Sequence, residues 1–189
     1  KTTNGGTNWT AQTSGTNVTL YEIFFSDANT GYSAGENGTI RKTTNGGANW
    51  TGLTSGTNND LYEVHFIMNT LGYVVGAGGI VRYTTNGGTN WLGQTSGTNQ
   101  YLLDVRFSNY MSITALHSIG MNGTIISTTN GGTNWNAQNS GTSNDLYEIH
   151  FSYPTVGYAA GQNGTILATT NGGVNWTQSV SGTNNTLRS

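Results

Sequence analysis

The chain has 189 residues, a net charge of −2 and only six Lys and Arg residues, spread along its length. That excludes the basic stripe of a nucleic-acid surface and the polybasic anchor of a membrane-bound protein. No stretch approaches the roughly 18 consecutive apolar residues of a membrane span, so no membrane insertion is expected, and the absence of cysteine removes disulfides and thiolate metal sites.

Only 7% of residues are charged, against roughly 25% in an average soluble domain. Yet 11% are aromatic and recur at fixed spacing, which is not the composition of a disordered chain. From Lys1 onward no signal peptide is visible.

The first element in chain order is an eight-residue box, TTNGGTNW at 2–9. It returns at 43–50, 84–91, 128–135 and 169–176, so that Trp9, Trp50, Trp91, Trp135 and Trp176 lie 41, 41, 44 and 41 residues apart. A period of roughly 40–45 residues fits either helical-pair arrays or four-stranded propeller blades. The segments between the boxes decide for strands. LYEIFF (20–25), LYEVHF (61–66), LLDVRF (102–107) and LYEIHF (146–151) alternate with period two and are rich in aromatic and β-branched residues.

A second short strand follows in GYSAGENG, GYVVGAGG and GYAAGQNG, each ending in a Gly-rich turn, and a third in GTIRKT, GIVRYT, GTIIST and GTILAT. The residues from each Trp onward make the fourth. Asn-Gly-Gly supplies the positive φ angles of a tight hairpin, the Thr and Asn before it can bond turn amides, and the Trp is expected to fold back onto its own hairpin at a place with few other core atoms. Asn4, Asn45, Asn86, Asn130 and Asn171, with the five tryptophans, are therefore structural.

The box resembles the Asp-box of bacterial neuraminidase-type (BNR) repeats, and GYSAGENGTIRKTTNGGANW resembles the repeats of photosystem II stability/assembly-factor-like propellers, over essentially the whole chain. The box Asn residues depart from that pattern, which usually has Asp. The resemblance implies an all-β propeller of four-stranded antiparallel blades. It also implies a secreted, periplasmic or cell-surface bacterial setting, where such repeats are common.

The pattern gives an N-terminal half-blade (1–14), four blades (about 15–55, 56–96, 97–140 and 141–181) and the start of a further strand (182–189). Closure has three solutions: a small ring, an arc of a larger ring, or arcs pairing between chains. An arc of a longer repetitive protein is the favoured expectation, since open edges otherwise invite association.

Alternation places Tyr21, Ile23 and Phe25, with Tyr62, Val64 and Phe66, on the core face of the first strand. Leu20, Glu22, Phe24 and their counterparts fall on the face toward the central channel. There Glu22, Glu63, Asp104 and Glu148 recur around the axis, with His65, Arg106 and His150 two residues further on. As a functional site this is a polar channel for a cation, a solute or a partner's basic side chain. As a structural feature, each carboxylate caps backbone amides, which an acid present in every repeat favours. His65 and His150 could join carboxylates around a transition metal, but blades two and four are not adjacent, so no metal or other cofactor is expected.

The segment 108–123 breaks the repeat with three extra residues and a more apolar composition. Tyr110, Met111, Ile113, His117 and Met121 make it a candidate partner loop. Asn-x-Thr sequons follow from the repeat's own wording and carry little weight.

The expected function is a non-enzymatic scaffold for a protein or glycan partner. A self-associating surface protein is the alternative, and a sialidase-like glycoside hydrolase a lesser one. Hydrolysis needs two opposed carboxyl groups, and Arg41, Arg82, Arg106 and Arg188 form no convergent cluster by spacing.

Overall fold

A computed structural model describes residues 1–108 and 113–188. It holds four antiparallel meanders, each a blade of four strands in sequential order. Blade 1 is β1 (Leu20–Phe25), β2 (Gly31–Gly35), β3 (Thr39–Thr43) and β4 (Thr51–Thr54); blade 2 is β5 (Leu61–Phe66), β6 (Gly72–Gly76), β7 (Val81–Thr84) and β8 (Leu92–Gln94). Blade 3 is β9 (Leu102–Phe107), β10 (Leu116–Gly120), β11 (Ile125–Thr128) and β12 (Asn136–Gln138); blade 4 is β13 (Leu146–Phe151), β14 (Gly157–Gly161), β15 (Ile166–Thr169) and β16 (Thr177–Ser179). First strands of successive blades lie against one another, β1 on β5, β5 on β9 and β9 on β13, which makes them the innermost strands of a propeller.

Strands two and three are joined by a 3₁₀ turn, as at Glu36–Gly38, where Asn37 takes a left-handed conformation with φ 56°. The glycine that ends this turn has a packing reason to be bare. A Cβ on Gly38 would stand 1.9 Å from the Thr57 carbonyl oxygen of the connection into the next blade.

The core lies between blades. Tyr32, Ala34 and Ile40 of blade 1 pack on Leu61, Val64, Phe66 and Trp91 of blade 2. Tyr73, Val75 and Val81 meet Leu102, Val105, Phe107 and Trp135 in the same way, and Ile119 and Ile125 meet Leu146, Ile149, Phe151 and Trp176.

This corrects two expectations. Trp91 does cover the second glycine of its own box, its Nε1 lying 3.3 Å from where a Gly88 Cβ would be. Trp91, Trp135 and Trp176 nevertheless lie inside the inter-blade core, Trp91 edge-on to Phe66 at 5.9 Å. Nor does the first strand alternate cleanly. In β5 the register slips between Leu61 and Glu63, a one-residue bulge at Tyr62, so Leu61 joins Val64 and Phe66 in the core. The bulged tyrosines leave the core and pair with each other across blades, Tyr21 with Tyr62 at 5.2 Å.

The face of blade 1 turned away from blade 2 is partly open. Ile23 and Phe25, counterparts of the buried Val64 and Phe66, are 58% and 41% exposed. On the outer face of blade 4, Tyr158, counterpart of the buried Tyr32 and Tyr73, is 50% exposed. Residues 1–14 keep the box turn and an exchange of backbone hydrogen bonds between Lys1 and Thr10, without an assigned strand. At the other end the Leu187 amide donates to the Gly161 carbonyl at 2.9 Å.

Candidate functional site

Each box is one hydrogen-bonded unit. In the second, the Thr43 hydroxyl accepts from the Gly47 amide at 2.9 Å and the Asn45 amide at 3.3 Å, and donates to Asn45 Oδ1 at 2.9 Å. The same oxygen accepts the Asn49 amide at 2.9 Å. Thr2–Asn4, Thr84–Asn86, Thr128–Asn130 and Thr169–Asn171 repeat the set. An uncharged amide oxygen fills both acceptor roles, so the turn needs no Asp.

The innermost strands gather the charged residues. After the bulge, Glu63 and His65 share the face of β5 opposite Val64 and Phe66, and meet Arg106 of β9. The Arg106 guanidinium bonds Glu63, lies 3.2 Å from Asp104 Oδ1 and 3.3 Å from Glu148 Oε1, and has His65 Nδ1 at 3.1 Å. Three blades thus contribute to one ion cluster. Asp104 spends its other oxygen on the Ile149 amide of blade 4 at 2.8 Å, a cap between blades of the kind the structural alternative describes.

Burial governs the electrostatics. Glu63 and Asp104 are 5% and 1% exposed. Burial drives the Asp104 carboxyl up to about 7, against the pull of Arg106. Glu63 is raised well above the carboxylate range by burial and by Asp104 beside it, again opposed by Arg106. Glu22 is raised by burial, with Arg106 working the other way. Burial and the neighbouring guanidinium hold His65 down at about 3, as a neutral ring, while Arg106 is held more firmly protonated by its three carboxylate partners despite burial. Toward the accessible side of this cluster Glu22 and Glu148 are half-buried, and His150 is exposed.

Buried and tied to Arg106, Glu63 and Asp104 do not form an opposed pair across an open cleft. A cleft of about 470 Å³ on the rim opposite the boxes is lined by Asn37, Arg41, Thr54, Ser55 and Thr57 and no carboxylate. Among the described residues no group of three or more His, Asp or Glu is arranged to hold a metal ion.

The expected partner loop is dispersed. Tyr110 and Met111 lie outside the described residues. Ile113 is exposed at the rim that carries the boxes, where the neighbouring Thr114 carbonyl accepts the Gly131 amide. Met121 sits in the 3₁₀ turn at the opposite rim. His117 is no loop residue: it is in β10, 4% exposed, with its ring 4.5 Å from that of Phe151. Sequence reading missed the cleft this histidine lines between blades 3 and 4. A position-by-position alignment of the repeats finds it, because His117 stands where blades 1, 2 and 4 have Tyr32, Tyr73 and Tyr158.

A family model described as photosynthesis system II assembly factor YCF48 matches residues 1–143 and 94–183. The chain belongs to this family. Among solved structures it is similar to one titled YCF48 bound to D1 peptide, at 18% identity and TM-score 0.57 over 87% of this chain and 82% of that one. It is also similar to YCF48 from Cyanidioschyzon merolae, at 16% identity and TM-score 0.71 over 94% of this chain and 65% of that one. An ancestral GH74 enzyme matches at 20% identity and TM-score 0.70, over 89% of this chain but 25% of the enzyme. At these identities the structural likeness establishes a shared BNR-type propeller fold. No curated protein matches the chain.

Proposed function

We propose that this YCF48-family chain is a non-enzymatic scaffold that docks a basic segment of a partner protein at the axial mouth formed by Glu22, Glu148 and His150. The observation that carries the reading is the nearness of two half-buried acids, Glu22 and Glu148, beside an Arg106 that is already paired with the buried Glu63 and Asp104. Family membership supports a protein partner, as does a similar propeller having been solved with a peptide bound. The GH74 likeness covers only a quarter of that enzyme, and the buried acids here lack the two-carboxyl arrangement of hydrolysis.

A displayed random-peptide library selected on the immobilised chain tests the proposal. Enriched peptides rich in Lys and Arg, eluted by raised salt, are the expected result. Enrichment of acidic or purely apolar peptides, or turnover of a β-glucan or sialoside by the chain, contradicts it.

The exposed apolar faces of blade 1 (Ile23, Phe25) and blade 4 (Tyr158) favour self-association as a second reading. Light scattering across a concentration series decides it: a growing mass supports this reading, and a constant monomer mass removes it.

A further inference from the structure

The bulge near the start of each first strand sets one residue outside the core, at the rim opposite the boxes. In β1 and β5 that residue is Tyr21 and Tyr62, whose ring centroids lie 5.2 Å apart across the seam between blades 1 and 2. Blade 3 departs from the repeat here. Leu103 stands where the other blades have the bulged tyrosine, and Tyr101 stands where blades 2 and 4 have Asp60 and Asp145. The Tyr101 ring nevertheless lies 5.9 Å from that of Tyr62, so one run of tyrosines crosses blades 1 to 3. Tyr21 and Tyr101 are exposed and Tyr62 is half-buried between them.

The surroundings of this run are acidic. Glu36 and Asp60 stand beside it, each anchored to the frame through one carboxylate oxygen. Asp60 Oδ1 accepts the Asn37 amide at 2.9 Å, and Glu36 Oε2 accepts the Thr19 amide at 3.1 Å. Both lysines of the chain are at the other rim, where Lys42 Nζ donates to the Gly87 carbonyl at 2.7 Å and Lys1 Nζ lies beside Gly46. Desolvation and the Asp60 carboxylate push the Tyr21 and Tyr62 phenols up, so these rings stay neutral at physiological pH. The bulged tyrosine of blade 4 shows what such a ring accepts. The Arg188 guanidinium lies 4.1 Å from the centroid of Tyr147, inside the reach of about 6 Å at which a cation is drawn to an aromatic face. The two half-buried acids of the axial mouth follow directly on tyrosines of this set, Glu22 on Tyr21 and Glu148 on Tyr147.

We propose that Tyr21, Tyr62 and Tyr101 form an arginine-docking surface, on which guanidinium groups of a partner segment lie against the rings and donate to Asp60 and Glu36. Arginine suits this surface and lysine does not. A planar guanidinium stacks on an aromatic ring and keeps its N–H donors free for a carboxylate, whereas an ammonium is a compact and more strongly hydrated charge. The inference rests on the axial reading above, since it assigns the residue type of the same basic segment.

Fluorescence anisotropy of labelled Arg-Gly and Lys-Gly repeat peptides of equal length, titrated with the full chain, tests it. Wild type should bind the arginine peptide about fivefold or more tightly than the lysine peptide. Tyr21→Leu/Tyr62→Leu removes two rings in favour of a side chain that the fold already carries at this bulge as Leu103. It should weaken the arginine peptide about fivefold or more and bring the two peptides to parity, while Tyr21→Phe/Tyr62→Phe keeps the preference. Parity in wild type, or a preference that survives in the leucine variant, overturns the inference. Parity in wild type with binding lost in Glu22→Gln/Glu148→Gln overturns it alone and leaves the axial site standing, whereas binding of neither peptide overturns both. Binding of a soluble β-glucan in place of the peptides, lost in the leucine variant, assigns the rings to sugars and also contradicts it.

Discussion

At the scale of single residues, the box works through one buried hydroxyl. Thr84 is 1% exposed and its Oγ1 accepts the buried Gly88 amide at 2.9 Å. Thr84→Val keeps the shape and orphans that amide, so a loss of about 1–3 kcal/mol in denaturant unfolding is expected. Thr2→Val removes the same bonds in the first box, where the Gly6 amide is only partly buried, and should change stability by less than about 0.5 kcal/mol. Equal losses at the two positions would mean that burial does not set the value of this bond. The turn was legible in the sequence because Asn-Gly-Gly dictates φ locally, the box glycines Gly46 and Gly47 having φ 64° and 88°. His117 was not, since its character depends on Phe151 and Trp176, which only the fold brings beside it.

At the scale of strands and seams, the tryptophan joins two blades. Trp135 is 8% exposed in a cluster drawn from blades 2 and 3, whereas Trp9 is 73% exposed. Trp135→Ala should cost about 3–5 kcal/mol and Trp9→Ala a small fraction of that, read as shifts in the urea midpoint. Comparable losses would restore the picture of an indole that serves its own hairpin alone. Strand order and blade count followed from periodicity. The bulge at Tyr21, Tyr62 and their counterparts did not, because LYEIFF reads as unbroken alternation. The slip appears only when Leu20 must pair with Gly35 while Glu22 pairs with Ala34. That slip sends the leucine into the core and leaves the acid on the axial side.

At the scale of the whole molecule, blades 2, 3 and 4 are tied at the axis by Arg106. Asp104 is raised to about 7 in the fold from an ordinary value near 4, so its contribution is fully present below the unfolded value and is lost as pH rises through 7. Arg106→Met takes away the group that lowers Asp104 and Glu63, and leaves both buried without a cation. Its destabilisation should reach about 3–5 kcal/mol near pH 8 and shrink toward pH 4–5, where the carboxyls hold protons. A pH-independent loss would mean that Arg106 acts through packing.

The recurrence of acids around the axis was readable from the repeat, but their convergence on one arginine was not, because Arg106 occurs in a single blade. The most direct measurement is the affinity of a library-selected peptide for wild type and for the Glu22→Gln/Glu148→Gln double variant, at low and raised salt. Binding at least about tenfold weaker in the variant, with unchanged melting temperature and a flattened salt dependence, is the expected result. Equal affinity and equal salt dependence in the two proteins would contradict the axial site.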